Sequence, residues 1–168
     1  GRLVGYAGLT DIFDCSDTNS NISTADGIAG GLVGYAGQPY GMNYPNDETY
    51  CISGCKFTYT TVTGMTAGGV VGQVNGLGPT AMYRISECVI NDGFYSYDIT
   101  GQSKAGGIVG FLVDGIVDKC NNENCVYAIG ENGVCGGIVG EMENGVVRRC
   151  GNFGAVSGTA AIGGISGS

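Results

Sequence analysis

Short apolar stretches, each closed off by glycine, asparagine or aspartate, recur along the chain in a fixed order, and none carries apolar residues at helical spacing. The plainest is an apolar pair held between glycines: Gly1-Arg2-Leu3-Val4-Gly5, Gly31-Leu32-Val33-Gly34, Gly69-Val70-Val71-Gly72, Gly107-Ile108-Val109-Gly110, Gly137-Ile138-Val139-Gly140 and a broken copy, Gly164-Ile165-Ser166-Gly167. The starts at residues 1, 31, 69, 107, 137 and 164 lie 30, 38, 38, 30 and 27 apart. A second marker follows each phrase, an aliphatic residue three positions before a cysteine: Ile12 to Cys15, Ile52 to Cys55, Ile85 to Cys88, Val117 to Cys120 and Val147 to Cys150. The third is a β-branched residue usually trailed by Ser, Thr or Gly, as at Ile22, Val62, Ile99, Val126 and Val156. Repeats of this period read as a solenoid, and three Val- and Ile-rich stretches per repeat read as three strands separated by turns.

One such unit offers only a handful of inward side chains, at roughly 1.5–3 kcal/mol each, against about 1–2 kcal/mol of backbone entropy for every residue ordered. Stability must therefore come from stacking, with strands of successive units paired and a continuous core shared along the array. The expected fold is all-β: a right-handed parallel β-helix (β-solenoid) of about five three-strand rungs, roughly 24 Å long at about 4.8 Å per rung. The whole chain, 1–168, reads as one such domain, with a partial repeat from 164. Glycine makes up 34 of 168 residues. The Gly-Gly pairs at 30–31, 68–69, 106–107, 136–137 and 163–164 are expected to turn corners that need positive φ.

The two longer spacings hold insertions, from Gln38 to Tyr50 in one repeat and at Leu77 to Tyr83 and Asp92 to Tyr97 in the next. Insertions in solenoids emerge as loops over one face, often the binding face. Tyr40, Tyr44, Tyr50, Phe94, Tyr95 and Tyr97 gather there. These rings either cover a core edge or form a ligand-contact surface.

With 7 basic and 15 acidic residues, no histidine and a formal charge of −8, the chain is a poor partner for phosphate backbones, which sets nucleic acid aside. No apolar run approaches the roughly 20 residues of a membrane span. Gly1 already lies inside a repeat, so any leader or preceding domain is expected upstream of it.

The succession Gly-Gly-[Leu/Ile/Val]-Val-Gly, [Ile/Val]-x-x-Cys, an Asn-rich bend and Val-Ser-Gly resembles the GLUG-motif repeats of large bacterial surface proteins. The fullest copies run from Gly136 to Gly158 and from Gly106 to Val126. The resemblance implies a secreted or cell-surface bacterial protein whose repeats serve as stalk, spacer or adhesive module. Some members of that family place the repeats beside a zinc metallopeptidase that cleaves immunoglobulin A. That chemistry needs a His-Glu-x-x-His helix, and this chain has no histidine.

Among residues that can carry chemistry, Cys15, Cys55, Cys88, Cys120 and Cys150 share one repeat position and should stack as a structural column. Buried free thiols suit cysteine as a small apolar residue. Disulfides along the column meet the required dihedral poorly, and a metal finds neither a Cys-x-x-Cys pair nor a histidine. Cys135 aligns with Ala29, Ala67, Ala105 and Ile162 and is expected to point inward; Cys125 aligns with Asn21, Thr61, Asp98 and Ala155 and is expected to point outward. Cys51, four residues before Cys55, leaves a local bridge open. Asn91, Asn122 and Asn152 are expected to form a stacked amide ladder.

Two acidic groups, Asp92 with Asp98 and Asp11 with Asp14 and Asp17, raise glycoside chemistry, which needs two carboxylates at a set separation. Neither has the arginine and lysine cluster an acidic polysaccharide substrate would favour. Solvated turns account for them better than catalysis or calcium. The expectation is a noncatalytic extracellular repeat domain without cofactor, acting as a stalk, filament or surface-adhesin segment. Its partners are neighbouring repeats or other copies stacked end to end. The alternatives are a module that binds carbohydrate or a host surface protein through the insertion loops, and a β-helix polysaccharide lyase or glycoside hydrolase.

Overall fold

The computed structural model describes residues 1–8, 10–37, 49–76, 82–91 and 97–168. Among them every regular element is a β-strand and every strand pairing is parallel. The chain visits three sheets in rotation, and each pass pairs with the passes before and after it. The first sheet holds Val4–Ala7, Val33–Gly37, Val71–Asn75, Val109–Val113 and Val139–Glu143, side by side in that order. The second holds Ile12–Phe13, Thr49–Ser53, Met82–Ser86, Gly115–Asp118 and Val146–Arg148, again in chain order.

The third sheet departs from the expected three strands per repeat. It has eleven strands and takes both the segment after each cysteine and the segment leading to the Gly-Gly pair. In the second pass these fuse into one strand of 13 residues, Lys56–Gly68. Asn19 and Tyr59 kink adjacent strands there at φ 57 and 58, between the paired residues Thr18 and Thr58 on one side and Ser20 and Thr60 on the other. Two apolar cores result instead of a single continuous one. The larger lies among the three sheets around Leu32, Val71, Ile85, Ile108 and Ile138, and the smaller gathers Val62, Ala67, Ile99, Ala105, Val126 and Cys135. Along the chain, buried Thr60 separates Phe57 of the first core from Val62 of the second. Asn124, which donates to the Thr60 carbonyl at 3.0 Å, does the same ahead of Val126.

The glycines at the corners serve close approach, not positive φ. Among the described residues Gly54 alone of the glycines has positive φ, at 69. A Cβ on Gly30, Gly68, Gly106 or Gly136 would overlap the carbonyl oxygen of Val33, Val71, Val109 or Val139. One on Gly31, Gly69, Gly107 or Gly137 would overlap the carbonyl oxygen of the matching glycine in the next pass. Besides Asn19, Tyr59, Asp114 and Asn144, the left-handed positions fall on the residue before each column cysteine: Asp14, Gly54, Glu87, Lys119 and Arg149. A side chain there costs about 1–2 kcal/mol. In return the backbone N–H of each of the first four reaches the neighbouring pass: Asp14 to Ser53 O at 2.9 Å, Gly54 to Ser86 O at 3.1 Å, Glu87 to Asp118 O at 3.1 Å and Lys119 to Arg148 O at 3.2 Å. A backbone hydrogen bond is worth about 0.5–1.5 kcal/mol net, so the ladder continuing through the corner offsets much of the strain.

Side-chain volume is exchanged between facing sheets. Tyr83 is buried, its hydroxyl donating to the Gly8 carbonyl; its register partner in the next pass is Gly115. A Cβ on Gly115 would meet the Leu112 side chain, and one on Gly145 would meet Met142. A ring in one pass thus gives way to glycine in the next, where a long aliphatic chain takes the space, which keeps the interior filled without overpacking.

Gly106→Ala is expected to lower stability by about 3 kcal/mol or more, because the clash is with backbone. Gly5→Ala, with nothing within 4 Å of the added carbon, is expected to leave the urea midpoint nearly unchanged. Equal shifts in the two variants would count against the close-approach account.

Candidate recognition site

The column cysteines sit just past the left-handed corner. Lys56 N donates to Cys15 O, Val89 N to Cys55 O, Asn121 N to Cys88 O and Gly151 N to Cys120 O, which stacks the five positions directly. Each thiol turns back to the carbonyl two residues earlier: Cys15 to Phe13 at 3.4 Å, Cys55 to Ser53 at 3.5 Å, Cys88 to Ser86 at 3.3 Å, Cys120 to Asp118 at 3.4 Å and Cys150 to Arg148 at 3.2 Å. The position therefore asks for a small apolar side chain with one weak donor. All eight cysteines are free thiols; Cys55, Cys88, Cys120 and Cys135 are buried, whereas Cys15 and Cys150 at the column ends, Cys51 and Cys125 are half-buried. Hydrogen bonding to Cys120 and Cys55, and then burial, hold the Cys88 thiol far above its ordinary value. Cys120, accepting from Cys150 and Cys88, is held down. Burial pushes Cys135 up to about 11.

Of the six insertion aromatics, Tyr40, Tyr44, Phe94 and Tyr95 lie outside the described residues. Tyr50 leans on buried Tyr83, with ring centroids 5.8 Å apart, and Tyr97 leans on Tyr59 at 5.4 Å. Asp11, Asp14 and Asp17 have separate engagements. Asp11 accepts from the Cys51 backbone N–H at 2.8 Å, Asp14 is a left-handed corner, and Asp17 pairs with Arg2 at 3.0 Å and accepts from Ser20. Asp98 keeps one buried carboxylate oxygen without a hydrogen-bond partner, and Asp92 is outside the described residues. In the amide ladder, Asn122 donates to Asn152 at 2.8 Å, but Asn91 is not a member: it pairs with Thr58, and the register partner of Asn122 is Ile90. The ladder position falls two residues after the cysteine, and Asn91 comes three after. Among the described residues no group of three or more His, Cys, Asp or Glu is placed to hold a metal ion.

What the fold does assemble is a cationic cluster on the second sheet. Asp118 is engaged by three guanidiniums from the two flanking passes: Arg149 through Nε at 2.8 Å and Nη2 at 2.5 Å and Arg148 through Nη2 at 3.3 Å from the pass after it, and Arg84 through Nη2 at 3.4 Å from the pass before. Its side chain is 4% exposed, while those of the arginines are 36–58% exposed. Beside it Lys119 pairs with Glu87 at 3.0 Å. The hydrogen bond from Arg149, with the charges of Arg148, Arg149 and Arg84, holds the Asp118 carboxyl below its ordinary value. These residues are far apart in sequence, yet each lies within or next to an [Ile/Val]-x-x-Cys marker. Aligning the markers brings Ser86-Glu87, Asp118-Lys119 and Arg148-Arg149 into one register and would have revealed the cluster.

No protein family matches the sequence, and no curated protein matches it either. Among solved structures, the fold is similar to the crystal structure of a protein from Bacteroides ovatus described as a "putative immunoglobulin A1 protease", with a TM-score of 0.60 at 19% sequence identity. The match covers 96% of this chain and 54% of that one, so the chain spans about half of its neighbour's length. At this identity the likeness concerns the fold.

Two outcomes follow from these contacts. Cys55, Cys88, Cys120 and Cys135 should resist a thiol-labelling reagent in the native state and label on unfolding in urea, whereas Cys15, Cys51, Cys125 and Cys150 label faster; native labelling of Cys88 at the unfolded rate would contradict the burial described. The second concerns pH. Because the folded Asp118 ionises below its ordinary value of 3.8, its stabilisation is complete above that value and is lost as pH falls through the lowered one. Asp118→Asn is expected to lower the urea midpoint at pH 7 and to converge with the natural chain in strong acid. A gap that persists there would mean that the carboxylate acts through packing, not charge.

Proposed function

We propose that the chain is a parallel β-helix of the GLUG-repeat kind, with about five coils. In this reading it works as a noncatalytic structural or adhesive segment of an extracellular or cell-surface bacterial protein. Three things support the architecture: the rotation through three sheets, the exclusively parallel pairing of the described strands, and the likeness to the Bacteroides ovatus structure.

The observation that carries the structural role is where apolar surface is left open. Of the ten exposed large hydrophobic side chains among the described residues, Leu3, Tyr6, Phe13 and Ile28 belong to the first pass, and Val146, Phe153, Ile162 and Ile165 to the last. Met65 and Ile129 are the other two, so among the described residues exposed apolar side chains concentrate toward the two end faces of the stack. Such faces fit further coils, supplied by neighbouring repeats or by other copies in a heterologous, head-to-tail contact.

Sedimentation of the 168-residue chain over a concentration series is expected to show end-to-end association that Ile162→Asp combined with Ile165→Asp abolishes. A strict monomer up to high micromolar concentrations would rule out self-stacking. A sugar-release assay on acidic and neutral polysaccharides is expected to stay at background, and sustained release would overturn the noncatalytic reading.

A further inference from the structure

The cationic cluster on the second sheet carries more charge than its structural role consumes. Four of the chain's seven basic residues, Arg84, Lys119, Arg148 and Arg149, meet only two carboxylates there, Asp118 and Glu87. On a chain of net charge −8 these six side chains carry two positive charges in excess. Both Asp118 oxygens are committed, yet each guanidinium has five N–H donors, and Arg84 Nε is enclosed without a hydrogen-bond partner. Bracing two passes would need one arginine. Three, gathered on a single buried anchor with side chains 36–58% exposed, form a preorganised set of forks whose geometry matches carboxylates.

The surroundings define the ligand further. In register with Asp118 and Arg148 stand Ser53 and Ser86, whose hydroxyls are 3.0 Å apart, and in the adjacent column Ile116 and Val146 follow Arg84. A strip of charge, hydroxyl and small apolar surface therefore runs across successive passes, about 4.8 Å apart. An extended peptide repeats its same-face side chains about every 6.6–6.8 Å and falls out of step. In an extended pyranose chain bearing one carboxylate per ring, same-side carboxylates recur every second ring, close to the two-pass separation of Arg84 from Arg148 and Arg149, and its hydroxyls find partners in the serines. We propose that this face binds the carboxylates of an acidic, uronate-type glycan lying along the stack. Asp118 serves as the anchor that positions Arg84, Arg148 and Arg149, which make the contacts. The site stands whether the coils act as spacer or adhesin and whether or not copies stack.

Calorimetric titration of the intact chain with oligogalacturonate at low salt tests this, with a neutral oligosaccharide and poly-glutamate of matched length alongside. Oligogalacturonate should bind, weaken steeply with added salt as counterion release requires, and leave the neutral sugar without a signal. Arg148→Gln, at an exposed side chain, and Arg84→Gln should each weaken binding about tenfold with native thermal unfolding. Arg84→Lys, which keeps the charge but loses the fork, should also bind less tightly. The proposal is overturned if oligogalacturonate fails to bind at low salt, if both glutamine variants bind as the natural chain does, or if poly-glutamate binds as tightly as the glycan.

Discussion

Everything in this protein hangs on the backbone of one pass lying directly against the backbone of the next. Parallel pairing repeated through three sheets leaves each pass no freedom to take a different path, because a shift of one residue would turn every inward side chain outward. The paired glycines are the sharpest expression of this. At Gly106 and Gly107 a single added carbon would occupy the space of a carbonyl oxygen, once within the pass and once in the neighbouring one. The same demand puts Glu87, Lys119 and Arg149 in left-handed backbone that such residues seldom adopt. The path is common to all passes, and most of the corner residues keep it by hydrogen-bonding across to the next carbonyl.

With the path fixed, variation moves into side chains, where it is constrained only by total volume. The buried ring of Tyr83 and Gly115 beside Leu112 solve one packing problem in opposite ways in consecutive passes. The cysteine column follows a similar logic. A thiol is small, apolar and able to donate weakly to the carbonyl two residues back, so one residue type satisfies the site five times. Where the column reaches the ends of the stack, Cys15 and Cys150 lose their cover and become half-buried.

Much of this was legible in the sequence, for a physical reason. A repeat whose markers recur in order reports pairing partners directly, so Ile12, Ile52, Ile85, Val117 and Val147 read as one inward column, and they are paired in register. The all-β character followed from glycine content and β-branched markers. Less legible were features that depend on how strands bend between markers. The kinks at Asn19 and Tyr59 widen the third sheet and divide the core in two, and nothing in the local pattern around Tyr59 announces left-handed backbone. Glycine pairs mark corners in the sequence, but the sequence does not distinguish a need for positive φ from a lack of room for Cβ, and the structure shows the second. At Asn91 an offset of one residue separates a ladder member from its neighbour.

The cationic cluster shows why charge on such a fold is easily missed. Arg84 and Arg149 stand 65 positions apart, and the longest basic stretch among them is the pair Arg148-Arg149. The two residues between the aliphatic and cysteine markers are nonetheless the ones whose backbone is fixed by the corner while their side chains stay outside the core. Charges placed there cost nothing in packing and are set in successive passes at a spacing at which they interact strongly. One carboxylate, Asp118, thus gathers three guanidiniums without any of them leaving the surface. A stacked architecture converts dispersed single charges into a dense field along one face, and small changes at these corner positions can alter that face without disturbing the paired strands that carry it.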